Sequence, residues 1–435
     1  MKRLPLALSV ALLFLPLVGH ALSLEEGLKA VTENGREVKI ARSDEAAARE
    51  TVSLARSPWF PSVDLYGRET WLRYQPASVL PFTVPGAGNS IAMSQDKFTT
   101  YGVRATQILY DFGKTSSSVN AATFGLQAKE IDTTRVRNQS ALDFIISYLD
   151  LLESEKLLHV AGEEVTRYEA HQKDAETRFK AGVITKNEVL QSEVTLADSR
   201  QRLLSAEDLR SLRASRINSL LVRPLNDPVE ADEVVPSPAT GITLESAWTA
   251  AEAESSDLRN MDAKIAAKGE SIGTIGAEYL PTFYLSGGYE YQENKYMVHQ
   301  DNWSLIAGVN VNLSSGGASR SKLSVARSEL GSLKLMREKM LDTIRLAVKA
   351  AYLDQLTSRQ KVEVAKAAVA SAVENHRLQK LRFQQGVGTT TEVLDAVTLL
   401  STAETNLWRA TYAMQRAEAG LLYAMGKDLV TAYGK

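Results

Sequence analysis

The chain has no cysteine among its 435 residues, which excludes disulfides, thiolate metal sites and a lipid-modified N-terminal cysteine. It lacks a charge excess, with 50 Lys and Arg against 52 Asp and Glu, so no electrostatic footprint for nucleic acid exists. Its five histidines (His20, His159, His171, His299 and His376) show no metal-ligand spacing. Beyond the N-terminus no segment offers the roughly 18 uncharged apolar residues that a spanning helix needs. Proline is missing from Gly86 to Arg223 and after Pro281, as long uninterrupted helices require. A phosphate loop is absent too. The stretch YDFGKTSS at Tyr110–Ser117 contains DFG and GKT, but Ile108 stands where such a loop needs its first glycine. No Gly-rich loop, strand lysine or HRD segment of a kinase accompanies it. With no activated serine or carboxylate pair, neither an enzyme nor a cofactor is expected.

What is present begins with a leader. Lys2 and Arg3 precede the apolar run Leu4–Val18, and Gly19-His20-Ala21 supplies small residues for cleavage, so residues 1–21 read as a secretory signal peptide. The rest of the chain is therefore expected to be exported, and any membrane crossing must be made by strands.

The mature chain matches itself. Ser23-Leu24-Glu25 resembles Thr243-Leu244-Glu245 and Pro61 matches Pro281, both 220 residues apart. Tyr148-Leu149-Asp150 matches Tyr352-Leu353-Asp354, and Arg178-Phe179 matches Arg382-Phe383, both 204 apart. The register shift of 16 falls in a longer first-copy loop, Gln75–Met93. These offsets predict a tandem duplication: a first repeat over 22–222, a Pro-rich linker over 223–242, a second repeat over 243–426 and a tail over 427–435.

Each repeat has the same order. A helix (Leu24–Arg56; Leu244–Ile272) leads into two alternating strand-like runs, then a helix above 60 residues (Ser117–Ala181; Arg320–Gln385), a tight turn and a second long helix. In Thr282–Glu293, Phe283, Leu285, Tyr289 and Tyr291 fall on one face; Asp301–Leu313 alternates likewise, and Ser62–Tyr74 and Lys97–Tyr110 do so with more noise. Such runs fit membrane strands of about 9–11 residues. The long helices carry apolar stripes, Leu142, Ile145, Ile146, Leu149 and Leu152 in one and Leu341, Ile344, Val348 and Tyr352 in the other. They suit a coiled coil or helical tube. YDFGKTSS and its counterpart SSGGASRS are the strand-to-helix joints, in which the glycine at the turn is kept (Gly113, Gly317). Four strands cannot close a barrel that needs about eight, and open edges are not tolerated in lipid, so self-association is expected.

The leader, the duplication, the Pro61 and Pro281 strand entries, the LYDFGK joint and the paired turns RFKAGVITKNEVL (Arg178–Leu190) and RFQQGVGTTTEVLDA (Arg382–Ala396) together resemble the TolC-like outer membrane efflux protein family. The resemblance implies a mixed α and β membrane protein. Three copies would form a homotrimer whose twelve-stranded β-barrel, four strands per chain, continues into a long α-helical periplasmic barrel in the outer membrane. It would serve as the exit duct of a tripartite efflux or type I secretion system, with a periplasmic adaptor (a membrane fusion protein) and an inner-membrane pump as partners. The alternatives are a periplasmic coiled-coil scaffold, which needs no amphipathic strands, and an adaptor, which has one helical hairpin rather than two.

The resemblance also implies where function sits. Glu392 and Asp395 fall on acidic positions that narrow the periplasmic entrance, Glu188 on an acidic position that helps lock it, and Phe383 on an aromatic locking position. Gly388 replaces an arginine, so that arginine's link cannot form in the same way. Thr185-x-x-Glu188 and Thr389-x-x-Glu392 are also capping boxes, which leaves capping and gating both open for the two glutamates. Asp395 lies beyond the capping position, with Gln191 as its counterpart, and is the preferred gate residue. Gly182 and Gly386 suit the left-handed position that ends a helix. With Arg178, Val183, Arg382 and Val387 they shape the expected adaptor-docking turns.

Overall fold

A computed structural model describes residues 22–86, 88–233 and 241–433. The expected leader and the centre of the expected linker lie outside the described residues. Along the chain run α1 (Leu24–Asn34), α2 (Arg36–Arg56), β1 (Ser62–Trp71), β2 (Ala77–Val84), β3 (Gly88–Ala92), β4 (Lys97–Tyr110), α3 (Lys114–Lys180) and α4 (Lys186–Leu220). Then come α5 (Leu244–Glu254), α6 (Ser256–Gly276), β5 (Thr282–Gln292), β6 (Asp301–Asn310), α7 (Ala318–Gln384), α8 (Thr390–Ala424) and α9 (Leu429–Tyr433). Two expectations need correction. The leading helix of each half is broken, at Gly35, whose amide caps back to the Val31 carbonyl, and at Ser255, whose hydroxyl accepts from Leu258 N. The stretch expected as a loop, Gln75–Met93, holds the β2–β3 hairpin.

The chain divides into two compact units. One comprises Lys39–Val136 and Trp248–Leu346 and contains an antiparallel sheet in the order β1-β4-β5-β6. Its register aligns Tyr66, Gly102, Glu290 and Asn302 across the four strands, and Leu65, Val103, Tyr289 and Trp303 in the next row. Directly opposed residues share a face, so the noisy alternation of β1 and β4 joins the clean alternation of β5 and β6. One face carries Val63, Leu65, Val103, Leu285, Trp303 and Leu305. The opposite face carries Asp64, Arg68, Arg104, Ser286, Glu290 and Ser304. On the apolar face Leu65 is 82% exposed, Trp303 77% and Leu305 75%. There Tyr101 stacks on Tyr291 at 5.0 Å and Tyr289 meets Trp303 at 5.1 Å. On the polar face the Tyr66 hydroxyl reaches over Gly102 and donates to Glu290 Oε2 at 2.7 Å. Strands β1 and β6 are unpaired edges.

The joint from β4 to α3 explains the YDFGK stretch physically. Asp111 caps α3, accepting from the Thr115 amide at 2.8 Å and from its hydroxyl. Phe112 and Gly113 both take left-handed backbone, with φ of 54° and 85°. At the second joint Gly316 and Gly317 do the same, at 61° and 85°. The chain turns by backbone conformation, without a phosphate cradle.

The other unit comprises the chain up to Val38, Arg137–Ala247 and the chain from Ala347. Its core gathers Leu28, Phe144, Ile145, Tyr148, Leu149, Leu151, Ile217 and Leu429. The Tyr148 hydroxyl lies 2.7 Å from the carbonyl oxygens of both Leu22 and Asp232, tying the two flanking segments to α3. Leu22 and Ala231 form a short parallel bridge there. Among the described residues no helix is long and apolar enough to cross a membrane.

Candidate functional site

The candidate site is the pair of turns that join α3 to α4 and α7 to α8. Both helices end in the same way. Gly182 N donates to the Phe179 carbonyl and Val183 N to that of Arg178, each at 2.9 Å. In the second turn Gly386 N donates to Phe383 O at 3.0 Å and Val387 N to Arg382 O at 3.1 Å. This is the paired closure of a Schellman motif, which needs a left-handed residue after the helix. The φ angles of Gly182 and Gly386, 74° and 78°, supply it. Val183 and Val387 stand exposed at 61% and 67%, as apolar points on the turn surfaces.

Each turn then starts its next helix through a threonine. Thr389 N donates to Glu392 Oε2 at 2.9 Å, and Glu392 N to the Thr389 hydroxyl at 3.3 Å. Thr185 N donates to Glu188 Oε1 at 3.2 Å. Both glutamates thus make the capping contacts that their spacing suggests. Each has a second partner. Glu392 Oε1 lies 3.6 Å from Arg382 Nη1, and Glu188 Oε2 accepts from the Thr390 hydroxyl at 3.0 Å.

The last contact belongs to a clasp between the two turns. Arg178 donates to the Gln384 carbonyl at 2.8 Å, and its guanidinium lies 4.7 Å from the centre of the Phe383 ring. Phe383 is buried, with the His171 ring 4.9 Å away. Gln191 and Thr391 bond side chain to side chain at 3.3 Å. Deeper, the Tyr168 hydroxyl meets Thr398 at 2.8 Å, and Arg167 grips Glu404 with two nitrogens at 2.9 and 3.1 Å. These links join residues some 200 positions apart, which no local pattern reveals.

Gly388 has a steric reason. A Cβ there would stand 2.9 Å from Phe383 N and 3.1 Å from the Arg382 backbone, so the turn is too tight for any side chain. Asp395 stands apart from the clasp. It is exposed on α8, with no hydrogen bond or ion pair among the described residues. Val393, Leu394, Ala396 and Val397 around it are all buried. No group of three or more His, Cys, Asp or Glu among the described residues could hold a metal ion.

The family model described as outer membrane efflux protein matches residues 28–221 and 248–427. Nodulation protein T of Rhizobium leguminosarum bv. trifolii is 23% identical over 405 residues, covering 89% of this chain and 81% of that protein. The outer membrane efflux protein BepC of Brucella suis is 21% identical over 337 residues, 75% of this chain and 72% of BepC. The fold resembles the Campylobacter jejuni CmeC outer membrane channel with a TM-score of 0.77 at 15% identity, covering 98% of this chain and 94% of CmeC. Matched over both of its long segments, the chain belongs to the outer membrane efflux protein family.

Proposed function

We propose that three copies of this chain close a twelve-stranded barrel in the outer membrane and form the exit duct of a tripartite efflux or type I secretion system. The observation that carries this reading is the four-stranded sheet: one face apolar and exposed, the other polar, and both edges open. In hydrocarbon every backbone group must be paired, so β1 of one copy has to meet β6 of the next. Helix faces support the same assembly. Leu204 and Leu212 on α4 and Leu346 and Val364 on α7 are each more than 60% exposed in the single chain.

The reading includes the duplication. The helices of the two halves pair in length, α2 with α6 at 21 residues, α3 with α7 at 67 and α4 with α8 at 35. The repeats would run over 22–222 and 243–426. The turns would form the periplasmic entrance and present Val183 and Val387 to an adaptor that links the duct to a pump. The work is passage rather than chemistry.

At the entrance, three copies of Asp395 would surround the axis, with Glu392 and Glu188 occupied in capping and clasping. A ring of acidic side chains focuses negative potential and favours cations. The test is light scattering and planar-bilayer conductance on purified protein. A trimer with a small, cation-selective conductance is expected, and Asp395→Asn should cut that selectivity several-fold while leaving the mass unchanged. A monomer without conductance would remove the duct reading. Unaltered selectivity in Asp395→Asn would move the gate to Glu392.

A further inference from the structure

The clasp contains a titratable group for which neither capping nor gating has a use. His171 lies on α3, two turns before the helix ends, and is 5% exposed. Its Nε2 is buried without a hydrogen-bond partner among the described residues. Its ring packs on Phe383, which arrives from the other turn and is itself 3% exposed. On its far reach Phe383 also receives the Arg178 guanidinium. Among the described residues the imidazole therefore sits where the two turns share an aromatic contact, and a proton on its Nε2 finds no acceptor there.

We propose that His171 is a proton-operated latch, neutral while the two turns are clasped and charged when Phe383 has moved away. Burial works against a charge here more than any neighbour does, and holds the imidazole down at about 4 from its ordinary 6.5. Asp174 on α3 and Glu188 on α4 pull it up, while Arg178 on α3 and His376 on α7 push it down. His376 is half-buried and is also pushed down, by burial first and then by Arg167 and Lys380.

The sign follows from which state takes up the proton. Between the clasped value and the ordinary value only the released imidazole is protonated, so acid favours release and neutral pH favours the clasp. For a histidine moved from 6.5 to about 4, the release equilibrium grows by about 30-fold between pH 8 and pH 5. The remaining links, Arg178 to Gln384, Glu188 to Thr390 and Gln191 to Thr391, contain no histidine. The latch stands on the clasp alone. Only its consequence for passage, a wider entrance in acid, rests on the duct reading given above.

The chain has no native cysteine, so spin labels can be placed cleanly at Lys180→Cys and Gln385→Cys, both exposed on the turns. Distances between them are measured in the full-length protein, diluted with unlabelled chains, from about pH 8 to about pH 4.5. The labels should separate in acid with a midpoint between the two values of the imidazole. The separation should vanish in His171→Gln and in His171→Phe, neither of which binds a proton there, and should survive in His376→Gln. Labels that do not move in the wild type, or that move in either neutral variant, overturn the latch, as does loss of the movement in His376→Gln alone. Conductance recorded on the same samples separates the two readings. Labels that part in acid at constant conductance leave the latch standing and refute the entrance.

Discussion

The tripeptide Tyr-Leu-Asp occurs at 148–150 in α3 and at 352–354 in α7, and its two occurrences meet different surroundings. Tyr148 and Leu149 are buried, and Asp150 is held by Arg213 at 2.9 Å and Arg416 at 2.8 Å. Leu353 is 49% exposed, with Leu356 at 45% and Val364 at 71% along the same helix. Identical residues in helices of identical length therefore part company at the level of packing. Helix formation is decided locally, while burial depends on what the rest of the molecule brings. Leu346, Leu353, Leu356 and Val364 leave apolar side chains of α7 uncovered, and exposed apolar patches can mark surfaces that meet a partner.

The sharpest way to break this comparison is truncation at each occurrence. Tyr148→Ala removes a fully buried ring and its hydrogen bonds, and should cost about 3–5 kcal/mol in denaturant unfolding followed by circular dichroism. Leu353→Ala should cost under about 0.5 kcal/mol in the dissociated chain, as an exposed substitution does. If the chains assemble as proposed above, its cost should rise on assembly. Equal costs for both in the dissociated chain would refute the contrast.

The next effect is smaller and concerns the turns. Gly386→Val forces a β-branched residue to a φ of 78°, which should cost about 1–2 kcal/mol. Hydrogen exchange at Val387 and its neighbours should speed up accordingly while the sheet stays protected. Unchanged exchange would mean that the turn adapts without strain.

The smallest expected effect has the opposite sign. α4 ends with Val222 N donating to Ser219 O and Arg223 N to Asn218 O, and α8 with Gly426 N to Tyr423 O and Lys427 N to Leu422 O. The closures match, yet Val222 has a φ of 59° where glycine takes 76°. Val222→Gly should stabilise the chain by about 0.5–1 kcal/mol, since relief of strain outweighs the extra freedom of the unfolded glycine. A lower melting temperature would show that the valine side chain contributes more by packing than its backbone loses.

Much of this fold was legible, for reasons that particular residues make plain. Strand β4 runs over Lys97–Tyr110 as its alternation predicts, and the long helices begin and end within three residues of their expected bounds. The turns were legible too, because RFxxGV carries a helix end and Thr-x-x-Glu a helix start in adjacent residues. The β2–β3 hairpin escapes the sequence because the offset between the two copies marks Gln75–Met93 only as an inserted loop, and its prolines are tolerated where a strand has a free edge. The breaks at Gly35 and Ser255 were missed because apolar periodicity continues across them. The clasp was out of reach. Arg178 meeting Phe383 and Glu188 meeting Thr390 depend on how two distant turns pack, and His171 acquires its significance only from being buried there.

If the sheet forms the outer-membrane barrel proposed above, the hairpin between β1 and β4 bears on how it would enter the bilayer. From Tyr74 to Gln95 the chain has no charged residue, and this connection lies at the opposite end of the strands from the helices. The helices are far too charged to pass through hydrocarbon, so insertion of the proposed barrel would have to push the connections at this end through instead. Each lysine or arginine at the bilayer midplane costs about 2–4 kcal/mol, and the crossing is a barrier rather than an equilibrium term. In such an insertion the charge-free segment would cross at a lower barrier than the β5–β6 connection at the same end of the sheet, which carries Glu293 and Lys295.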